Sequence, residues 1–298
     1  MEDSRKRLGR DQLSPFRPTV AFVVVVAGEE YAKNYIKYFF RSQLSYCKKN
    51  GYQLIVFTEK NFGGSFSAPE LSWIKVLAAG MGSFEDFDRV VLIDADIAVR
   101  RVAPPIHEST PDLDLLYIAD EFQQARDNNV VYFSEEPGLS PASYYQKAGI
   151  QIQTDRILNT GLIVFSPSSH QTVFGKAYEQ VGGTLLAGRG FHFEQAVLGS
   201  CIQREGKYAL LAQGWNVLYS IVSAREAHSS VGPAKRFFMS VRYGFMIHFS
   251  GATWNTKMNK ILIRIIYGNI FGLAFGGSSR AYRRLSLSSR YYLPPAPR

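Results

Sequence analysis

The stretch Arg89-Val90-Val91-Leu92-Ile93-Asp94-Ala95-Asp96 decides the fold. Its apolar part is uninterrupted and mostly β-branched, which is typical of a strand buried on both faces of a parallel sheet. Two carboxylates follow this predicted strand directly, at its carboxyl end. In open α/β sheets, ligands bind beyond the carboxyl ends of the strands. The stretch therefore predicts an α/β protein with a ligand site beside Asp94 and Asp96.

Apolar segments before and after this stretch predict further strands of the same sheet. Further strands are predicted at 20–26, 52–58, 115–119, 161–165 and 245–249, and helices at 31–49, 69–81 and 191–204. Because strands alternate with helices, a mostly parallel, doubly wound sheet is expected. Residues 122–157 are polar and are predicted to be a long loop, and a loop of that length is usually functional or mobile.

The bulk composition is that of an ordinary globular protein. Of the 298 residues, 46% are hydrophobic and 20% charged, which excludes wholesale disorder. Cys47 and Cys201 lie in no metal-binding spacing, so neither a structural zinc site nor a disulfide framework is expected. Residues 1–18 are polar and resemble a flexible lead-in rather than a signal peptide. These features predict a cytoplasmic protein.

Positive charge is concentrated at the end of the chain. Residues 227–298 contain eleven Lys and Arg residues and no Asp or Glu, although the whole chain carries a net charge of +9. Within this region, 261–277 is apolar and flanked by basic residues. Two interpretations stay open: an interfacial segment on an anionic membrane, which would make the protein a peripheral membrane protein, or a core helix with a solvated basic end. Nucleic-acid binding is not expected, because no recognition motif accompanies the charge.

The Asp-x-Asp pattern itself is common and occurs three times. The copies are Asp86/Asp88, Asp94/Asp96 and Asp112/Asp114. Only the second copy follows a predicted strand, and two carboxylates placed there can bind one hard cation that bridges phosphate oxygens. The alternative is a pair of solvated loop aspartates. A phosphatase with an aspartate nucleophile is disfavoured, because Ala98 stands where such enzymes usually have Thr or Val.

A metal and phosphate site requires further polar groups, and three segments offer them. His248 follows a predicted strand, and a neutral imidazole suits Mn²⁺. Gly251 would let a phosphate approach the backbone. Asn159-Thr160-Gly161 and Glu194-Gln195 offer groups for sugar hydroxyls. Each segment also has a plain structural interpretation: a core histidine, a turn, and a helix-surface pair.

Taken in order, these segments resemble the retaining glycosyltransferases with a GT-A fold, near glycosyltransferase families 34 and 8. The resemblance covers residues 20–257 and rests on YCKKNGYQL (46–54), SWIK (72–75), LIDAD (92–96), LNTG (158–161), FEQ (193–195) and HFSG (248–251). It implies a mixed, mostly parallel sheet flanked by helices. It also implies three parts of the chain: the lead-in at 1–18, a catalytic domain at 19–257 and a basic apolar extension at 258–298.

The resemblance also implies roles for individual residues. Asp94, Asp96 and His248 would bind Mn²⁺, with Mg²⁺ as the alternative. The residues expected to hold the nucleotide-sugar donor are Tyr31, Lys75, Asp94, Ala95, Asp96, Asn159, Thr160, Gly161, Gly251 and Lys257. Tyr31 would stack on the base. Glu194 would hold sugar hydroxyls, and Gln195 would lie near the anomeric carbon, opposite the leaving group.

The implied reaction is retaining transfer of a hexose or pentose from a nucleotide-diphosphate sugar, with UDP favoured, to a glycan or lipid-linked acceptor. The acceptor hydroxyl would attack from the face that the diphosphate leaves, while the metal and Lys257 stabilise the diphosphate. One position departs from family 8, which typically has a Lys six residues after the His. Trp254 stands there, and Lys257 lies three residues further on. The rival classes are a non-catalytic binding protein with the same fold and a metal-dependent phosphohydrolase.

Overall fold

A computed structural model describes residues 18–62, 68–81, 84–131, 139–181, 194–212, 214–227, 232–242, 244–251 and 253–267. Almost all of the predicted lead-in, the start of the helix predicted at 191–204 and most of the basic extension lie outside these residues.

The described residues form nine strands, twelve α-helices and two short 3₁₀-helices, Glu59–Phe62 and Thr253–Asn255. The strands are β1 Val20–Val25, β2 Gln53–Phe57, β3 Arg89–Asp94, β4 Ile97–Val99, β5 Leu116–Asp120, β6 Leu158–Phe165, β7 Tyr208–Leu210, β8 Val217–Leu218 and β9 Met246–His248. The helices are α1 Glu29–Tyr38, α2 Phe40–Asn50, α3 Ala68–Leu71, α4 Ile74–Met81, α5 Ile106–Ser109, α6 Glu121–Asp127, α7 Pro141–Lys147, α8 Pro167–Val181, α9 Gln195–Glu205, α10 Tyr219–Ala227, α11 Pro233–Val241 and α12 Lys257–Ile266.

The main sheet has six strands in the order β2-β1-β3-β6-β5-β7. Strand β6 runs antiparallel to both of its neighbours, β3 and β5, while the other neighbouring strands pair in parallel. The prediction of a mixed, mostly parallel sheet flanked by helices is therefore confirmed. Strands β4, β7 and β8, of two or three residues each, were not predicted.

The sheet separates two apolar cores, which explains why its central strands are apolar throughout. In β1, Phe22 and Val24 point into one core, and Ala21 and Val23 point into the other. Successive side chains of a strand point to opposite faces, so a strand covered on both sides buries every residue. The continuous apolar runs seen in the sequence follow from this arrangement.

Two predicted helices are divided. The helix predicted at 31–49 is interrupted at Phe39, which ends α1 with φ −114° and packs its ring 6.0 Å from that of Phe249. The helix predicted at 69–81 is split into α3 and α4 by a turn at Ser72 and Trp73. Trp73 is buried in a core, so this turn, like Phe39, places an aromatic side chain inside the protein.

The prediction of a loop over 122–157 is wrong for much of that segment. Helices α6 and α7 form there, and the side chains of Asp120 and Ser140 accept hydrogen bonds from the backbone of their first turns. Capping of this kind stabilises short helices that have weak apolar periodicity. Tyr144 and Tyr145 are fully buried in α7 and belong to the core, while residues 132–138 lie outside the described ranges.

A second, three-stranded sheet contains β9, the last strand in the described residues. Strand β9 lies between β4 and β8, with Ile97 and Leu218 both paired to His248. Helix α12 follows, and its Leu262 and Ile263 are buried in a core. The first residues of the predicted extension therefore pack on the rest of the protein. No helix in the described ranges is long and apolar enough to cross a membrane.

Candidate active site

A cleft of about 1010 Å³ opens at the carboxyl end of β3. Eleven of the predicted site residues line it: Tyr31, Lys75, Asp94, Ala95, Asp96, Asn159, Thr160, Glu194, Gln195, His248 and Gly251. The volume is at the upper end of the range for small-molecule sites. Gly161 and Lys257 are not among the lining residues.

The sheet topology brings these distant residues together. Asp94 is the last residue of β3, and β6 runs antiparallel beside it with Ile93 opposite Leu162. The first residues of β6, including Asn159 and Thr160, therefore lie next to Asp94. The pairing of β4 with β9 places His248 beside Asp96, whose carbonyl accepts a hydrogen bond from the next residue after the histidine.

Asp94, Asp96 and His248 form a compact cluster of metal-binding groups. Their ligand atoms all lie within 4.8 Å of one another, with His248 Nε2 at 3.6 Å from Asp94 Oδ2 and 3.4 Å from Asp96 Oδ1. Asp96 Oδ1 is buried and has no hydrogen-bond partner within the described part of the chain. A buried carboxylate oxygen without a donor is costly unless a cation compensates it. Two carboxylates and an imidazole suit Mn²⁺.

Two of the three groups, His248 and Asp94, have raised pKa values when no cation is bound. Burial opposes a charge on His248, but the carboxylates of Asp96 and Asp94 outweigh it and raise the pKa of the ring above its usual 6.5. Burial raises the pKa of Asp94, against the opposing effects of Lys75 and His248. A divalent cation would displace these protons, because metal ligands bind in their deprotonated forms.

Lys75 is buried beneath the cluster and is fully engaged. Its Nζ lies 2.7 Å from Asp94 Oδ1 and 2.6 Å from Glu194 Oε1, and donates to the carbonyl of Thr160 at 3.1 Å. Burial opposes its charge, but the two carboxylates raise the pKa of Lys75 above its usual range. An ammonium group has three donors. The lysine expected to contact the donor is thus occupied in fixing two cleft carboxylates.

Gly161 has a steric role next to the cleft. A Cβ at this position would lie 2.3 Å from His248 Cε1, 2.5 Å from His248 Nδ1 and 2.9 Å from Asn159 Oδ1. Only glycine permits this close approach of the imidazole to the backbone of β6. Gly251 differs, since it lines the cleft with φ +64°, a left-handed conformation that glycine adopts without strain.

The two predicted catalytic residues lie at the start of α9 and are tightly hydrogen-bonded. Glu194 Oε1 accepts from Thr160 Oγ1 at 3.0 Å. Gln195 Nε2 donates to Glu121 Oε2 at 3.0 Å and to Tyr144 Oη at 3.2 Å. Gln195 Oε1 accepts from Asn159 at 3.2 Å. The amide of Gln195 is therefore held in one orientation at the cleft wall.

Sequence reasoning missed two residues of this network. Glu121 lines the cleft as the first residue of α6, and its Oε2 accepts from Asn159 Nδ2 at 2.9 Å. Asn216 is fully buried and joins Asn159 to His248 by hydrogen bonds of 2.8 and 3.1 Å. Glu121 could have been noticed, because it follows a predicted strand as Asp94 does. Asn216 precedes a two-residue strand and carries no such signal.

Lys257 and Tyr31 complete the predicted set. Lys257 is exposed at the first position of α12, where Thr256 caps the helix by accepting from Asn259 N. It does not line the cleft. Tyr31 lies on α1 at the cleft wall and is 37% exposed, as a stacking platform for a flat ring would be.

The fold is that of the GT-A glycosyltransferases. WbbM, a bifunctional glycosyltransferase, superposes with a TM-score of 0.58 and 17% identity over 91% of this chain. A glycosyltransferase involved in the glycosylation of the major capsid of PBCV-1 gives 0.52 and 14% over 84% of this chain and 100% of its own. The galactosyltransferase LgtC, in complex with donor and acceptor sugar analogs, gives 0.52 and 13% over 84% of this chain and 95% of its own.

The comparison with WbbM covers only part of the WbbM structure. The chain spans about half of the WbbM structure, 52% of its length. No protein-family model matches the chain, and no curated protein matches it in sequence. At sequence identities of 13–17%, the similarity to these structures shows a shared fold and no more.

Proposed function

We propose that the chain is a metal-dependent retaining glycosyltransferase. It transfers a hexose or pentose from a nucleotide-diphosphate sugar, with UDP favoured, to a hydroxyl of a glycan or lipid-linked acceptor. The observation that carries this proposal is the cluster of Asp94, Asp96 and His248 in a cleft at the carboxyl end of β3. The GT-A fold supports it by analogy, and the cluster supplies the chemistry.

The charge of the cleft supports a requirement for a metal. Its described lining contains the four carboxylates of Asp94, Asp96, Glu121 and Glu194 and one basic side chain other than histidine, Lys75. With a neutral histidine, the formal charge is −3. Like charges in a partly buried site repel strongly. A diphosphate would therefore enter this cleft only together with a cation.

Mn²⁺ held by Asp94, Asp96 and His248 would neutralise charge on the diphosphate, with Mg²⁺ as the alternative. The imidazole ligand favours Mn²⁺, since Mg²⁺ prefers oxygen atoms. The protein's own groups bind and orient the sugar. Gln195 presents its amide at the cleft wall, and Tyr31 offers a face for the base. The amide of Asn159 is already saturated by hydrogen bonds within the protein and orients Gln195.

A front-face reaction with retention agrees best with the carboxylates of the cleft. Glu194 is bonded to Lys75 and Thr160, and Glu121 accepts from two amides. Neither is presented as an unengaged nucleophile. The acceptor oxygen would bond to the anomeric carbon on the face from which the diphosphate departs. Its proton would pass to the departing phosphate oxygen. NMR of the product would test this, since an inverted anomeric configuration would exclude retention.

The central experiment is Asp96→Ala, with turnover of a UDP-sugar panel measured in Mn²⁺. Loss of this ligand should reduce turnover by roughly 10²–10³-fold, the usual effect of removing a main electrostatic stabiliser. Asp114→Ala is the matched control, because Asp114 belongs to another Asp-x-Asp copy and is exposed. Wild-type turnover by the Asp96→Ala variant would refute the assignment.

The same assay separates the rival classes. A binding protein with this fold would bind the nucleotide-sugar in Mn²⁺ and release neither free sugar nor product. A metal phosphohydrolase would instead hydrolyse simple phosphate esters. The intact set of three metal-binding groups favours a catalyst, because sites that have lost their activity often lose a metal ligand as well.

The basic end of the chain supports a peripheral location on the cytoplasmic face of a membrane. Ile261 and Ile265 are nearly half exposed on one face of α12, and Phe238 of the adjoining α11 is 47% exposed. No acidic residue follows Glu226 in the sequence. Apolar groups among cations suit an anionic lipid surface. We propose that the extension at 258–298 attaches the catalytic domain, 19–257, to such a surface.

Liposome flotation tests this attachment. The double substitution Ile261→Asp and Ile265→Asp should reduce flotation with anionic vesicles. Val102→Asp is the control, since Val102 is an exposed apolar residue elsewhere on the surface. Equal flotation of wild type and the double variant would end the proposal for this helix face.

A further inference from the structure

An unbroken chain of hydrogen bonds joins Glu121 to the metal-binding histidine. Asn159 Nδ2 donates to Glu121 Oε2 at 2.9 Å, and Asn216 Nδ2 donates to Asn159 Oδ1 at 2.8 Å. Asn216 Oδ1 lies 3.1 Å from His248 Nδ1. Glu121, Asn159 and His248 lie on α6, β6 and β9, and Asn216 directly precedes β8. We refer to Glu121, Asn159 and Asn216 as the amide relay.

The direction of the hydrogen bonds in the amide relay is fixed at Glu121, the end farthest from His248. A carboxylate only accepts hydrogen bonds, so Asn159 must turn its Nδ2 towards Glu121. The backbone N–H of Gly161 only donates, and it lies 2.9 Å from Asn159 Oδ1. These two contacts exclude the flipped amide. Such flips are otherwise undetermined by shape alone.

This polarity is passed on to the imidazole. Because Asn159 presents an oxygen to Asn216, Asn216 must present its Nδ2 in return, and its Oδ1 then faces His248 Nδ1. An amide oxygen accepts only, so Nδ1 must carry a proton. The neutral ring then has its lone pair on Nε2, the atom that lies among the carboxylates of Asp94 and Asp96.

We propose that Glu121, Asn159 and Asn216 are positioning residues that hold His248 in the Nδ1–H tautomer and so leave Nε2 free to bind a metal. The proposal deepens the metal site on which the proposed function rests. Partners of this kind orient ligating histidines in proteins generally, and their loss typically lowers metal affinity about 10–100-fold. Here the partner is a relay of two amides that ends on a carboxylate.

The opposite tautomer is a genuine competitor. With its proton on Nε2, the ring would donate towards Asp96 Oδ1, which lies 3.4 Å away and has no hydrogen-bond partner within the described part of the chain. Nε2 would then be blocked as a ligand. The amide relay must outweigh this attraction, which gives it a function beyond filling space.

The amide relay also reaches the sugar side of the cleft. Glu121 Oε2 accepts from Gln195 Nε2 as well as from Asn159, and Asn159 Nδ2 contacts Gln195 Oε1. The orientation of the amide predicted to face the anomeric carbon and the tautomer of the metal ligand therefore depend on the same carboxylate.

The test is ¹⁵N NMR of the imidazole in metal-free protein at alkaline pH, where the ring is neutral. His248→Gln identifies the signals among the five histidines. Wild type should show the Nδ1–H tautomer. Asn216→Gly should shift the ring towards Nε2–H and lower Mn²⁺ affinity, measured by calorimetry, by about 10–100-fold. Glycine suits the positive φ of 49° at this position, so the backbone is preserved.

Asn216→Asp is the matched rescue. Its carboxylate still accepts from His248 Nδ1, but it sets an oxygen against Asn159 Oδ1 and so breaks the bond to Asn159. The Nδ1–H tautomer and part of the Mn²⁺ affinity should therefore return. Asn50→Ala removes another buried asparagine, outside the relay, and should change neither. An Nε2–H ring in the wild type, or an unchanged tautomer in Asn216→Gly, would overturn the relay. A wild type with the Nδ1–H ring but no sugar transfer would refute the proposed function while supporting the relay.

Discussion

Gly161→Ala provides a direct test of the packing around His248, the proposed metal ligand. The new Cβ would lie 2.3 Å from His248 Cε1, whereas ordinary contact begins at 3.4 Å. The ring must therefore withdraw by about 1.1 Å, or β6 must bend. His248 is only 4% exposed, so there is little free space to receive it. The substitution should displace the ring without changing its chemistry.

The size of the effect follows from this displacement. Overpacking a well-packed interior costs about 1–3 kcal/mol, and we expect the free energy of unfolding to fall by that amount. Metal–ligand distances are tolerated only within about 0.2 Å. A shift of 1.1 Å therefore removes Nε2 from the coordination sphere, and Mn²⁺ affinity should fall by at least about 10–100-fold, the loss known for weaker perturbations around metal sites.

Urea denaturation and Mn²⁺ calorimetry measure the two effects. The matched control is Gly175→Ala in α8, where a Cβ would have no neighbour within 4 Å. That variant should bind Mn²⁺ normally and gain about 0.5–1 kcal/mol, since alanine is the better helix former. A Gly161→Ala protein with normal Mn²⁺ affinity would refute the placement of His248 against β6.

Three further predictions concern the charged groups. Lys75→Met should lower the free energy of unfolding by about 3–5 kcal/mol in urea, because Asp94 and Glu194 lose the cation between them; a loss below about 1 kcal/mol would show that the pairing is not structural. Mn²⁺ affinity, measured by calorimetry, should fall about tenfold for each pH unit below the raised pKa of His248, because the ring must lose its proton before it binds the metal. An affinity that does not depend on pH would argue against His248 as a ligand. In metal-free protein, charged His248 should stabilise the fold fully below its unfolded pKa of 6.5, and this stabilisation should disappear as pH rises through the higher folded pKa. Urea titrations of wild type and His248→Gln should show the difference in their free energies of unfolding narrowing as pH rises. A difference that widens with pH would contradict the raised pKa.

The sequence predicted five of the six strands of the main sheet and the Asp94/Asp96 pair, because each has a local signal. A strand buried on both faces must be apolar at every position, so 89–93 could be recognised without knowledge of its neighbours. The carboxyl end of such a strand is a ligand site by topology, which separated Asp94 and Asp96 from two similar pairs. His248 was harder to identify as a candidate ligand, because its own strand is short. Only the order of the motifs along the chain indicated it.

The polar network could not be predicted, because its contacts depend on pairings that are distant in sequence. Asn216 reaches His248 through the parallel pairing of β8 with β9, and β8 has two residues. Lys75 was predicted to contact the donor, yet its ion pairs are with carboxylates 19 and 119 residues away. A sequence shows which residues carry charge, but burial decides whether a charge meets a ligand or another side chain.

The departure from the family 8 pattern agrees with the absence of an unengaged lysine or arginine from the described cleft lining. Trp254 replaces the lysine expected after the histidine, Lys257 does not line the cleft, and Lys75 is already neutralised by two carboxylates. The described lining therefore presents no unengaged lysine or arginine to a diphosphate. Positive charge must come from a bound metal or from residues beyond the described ranges. Because the described lining carries several carboxylates, the proposed function makes donor binding, and not only turnover, depend on a cation held by Asp94 and Asp96.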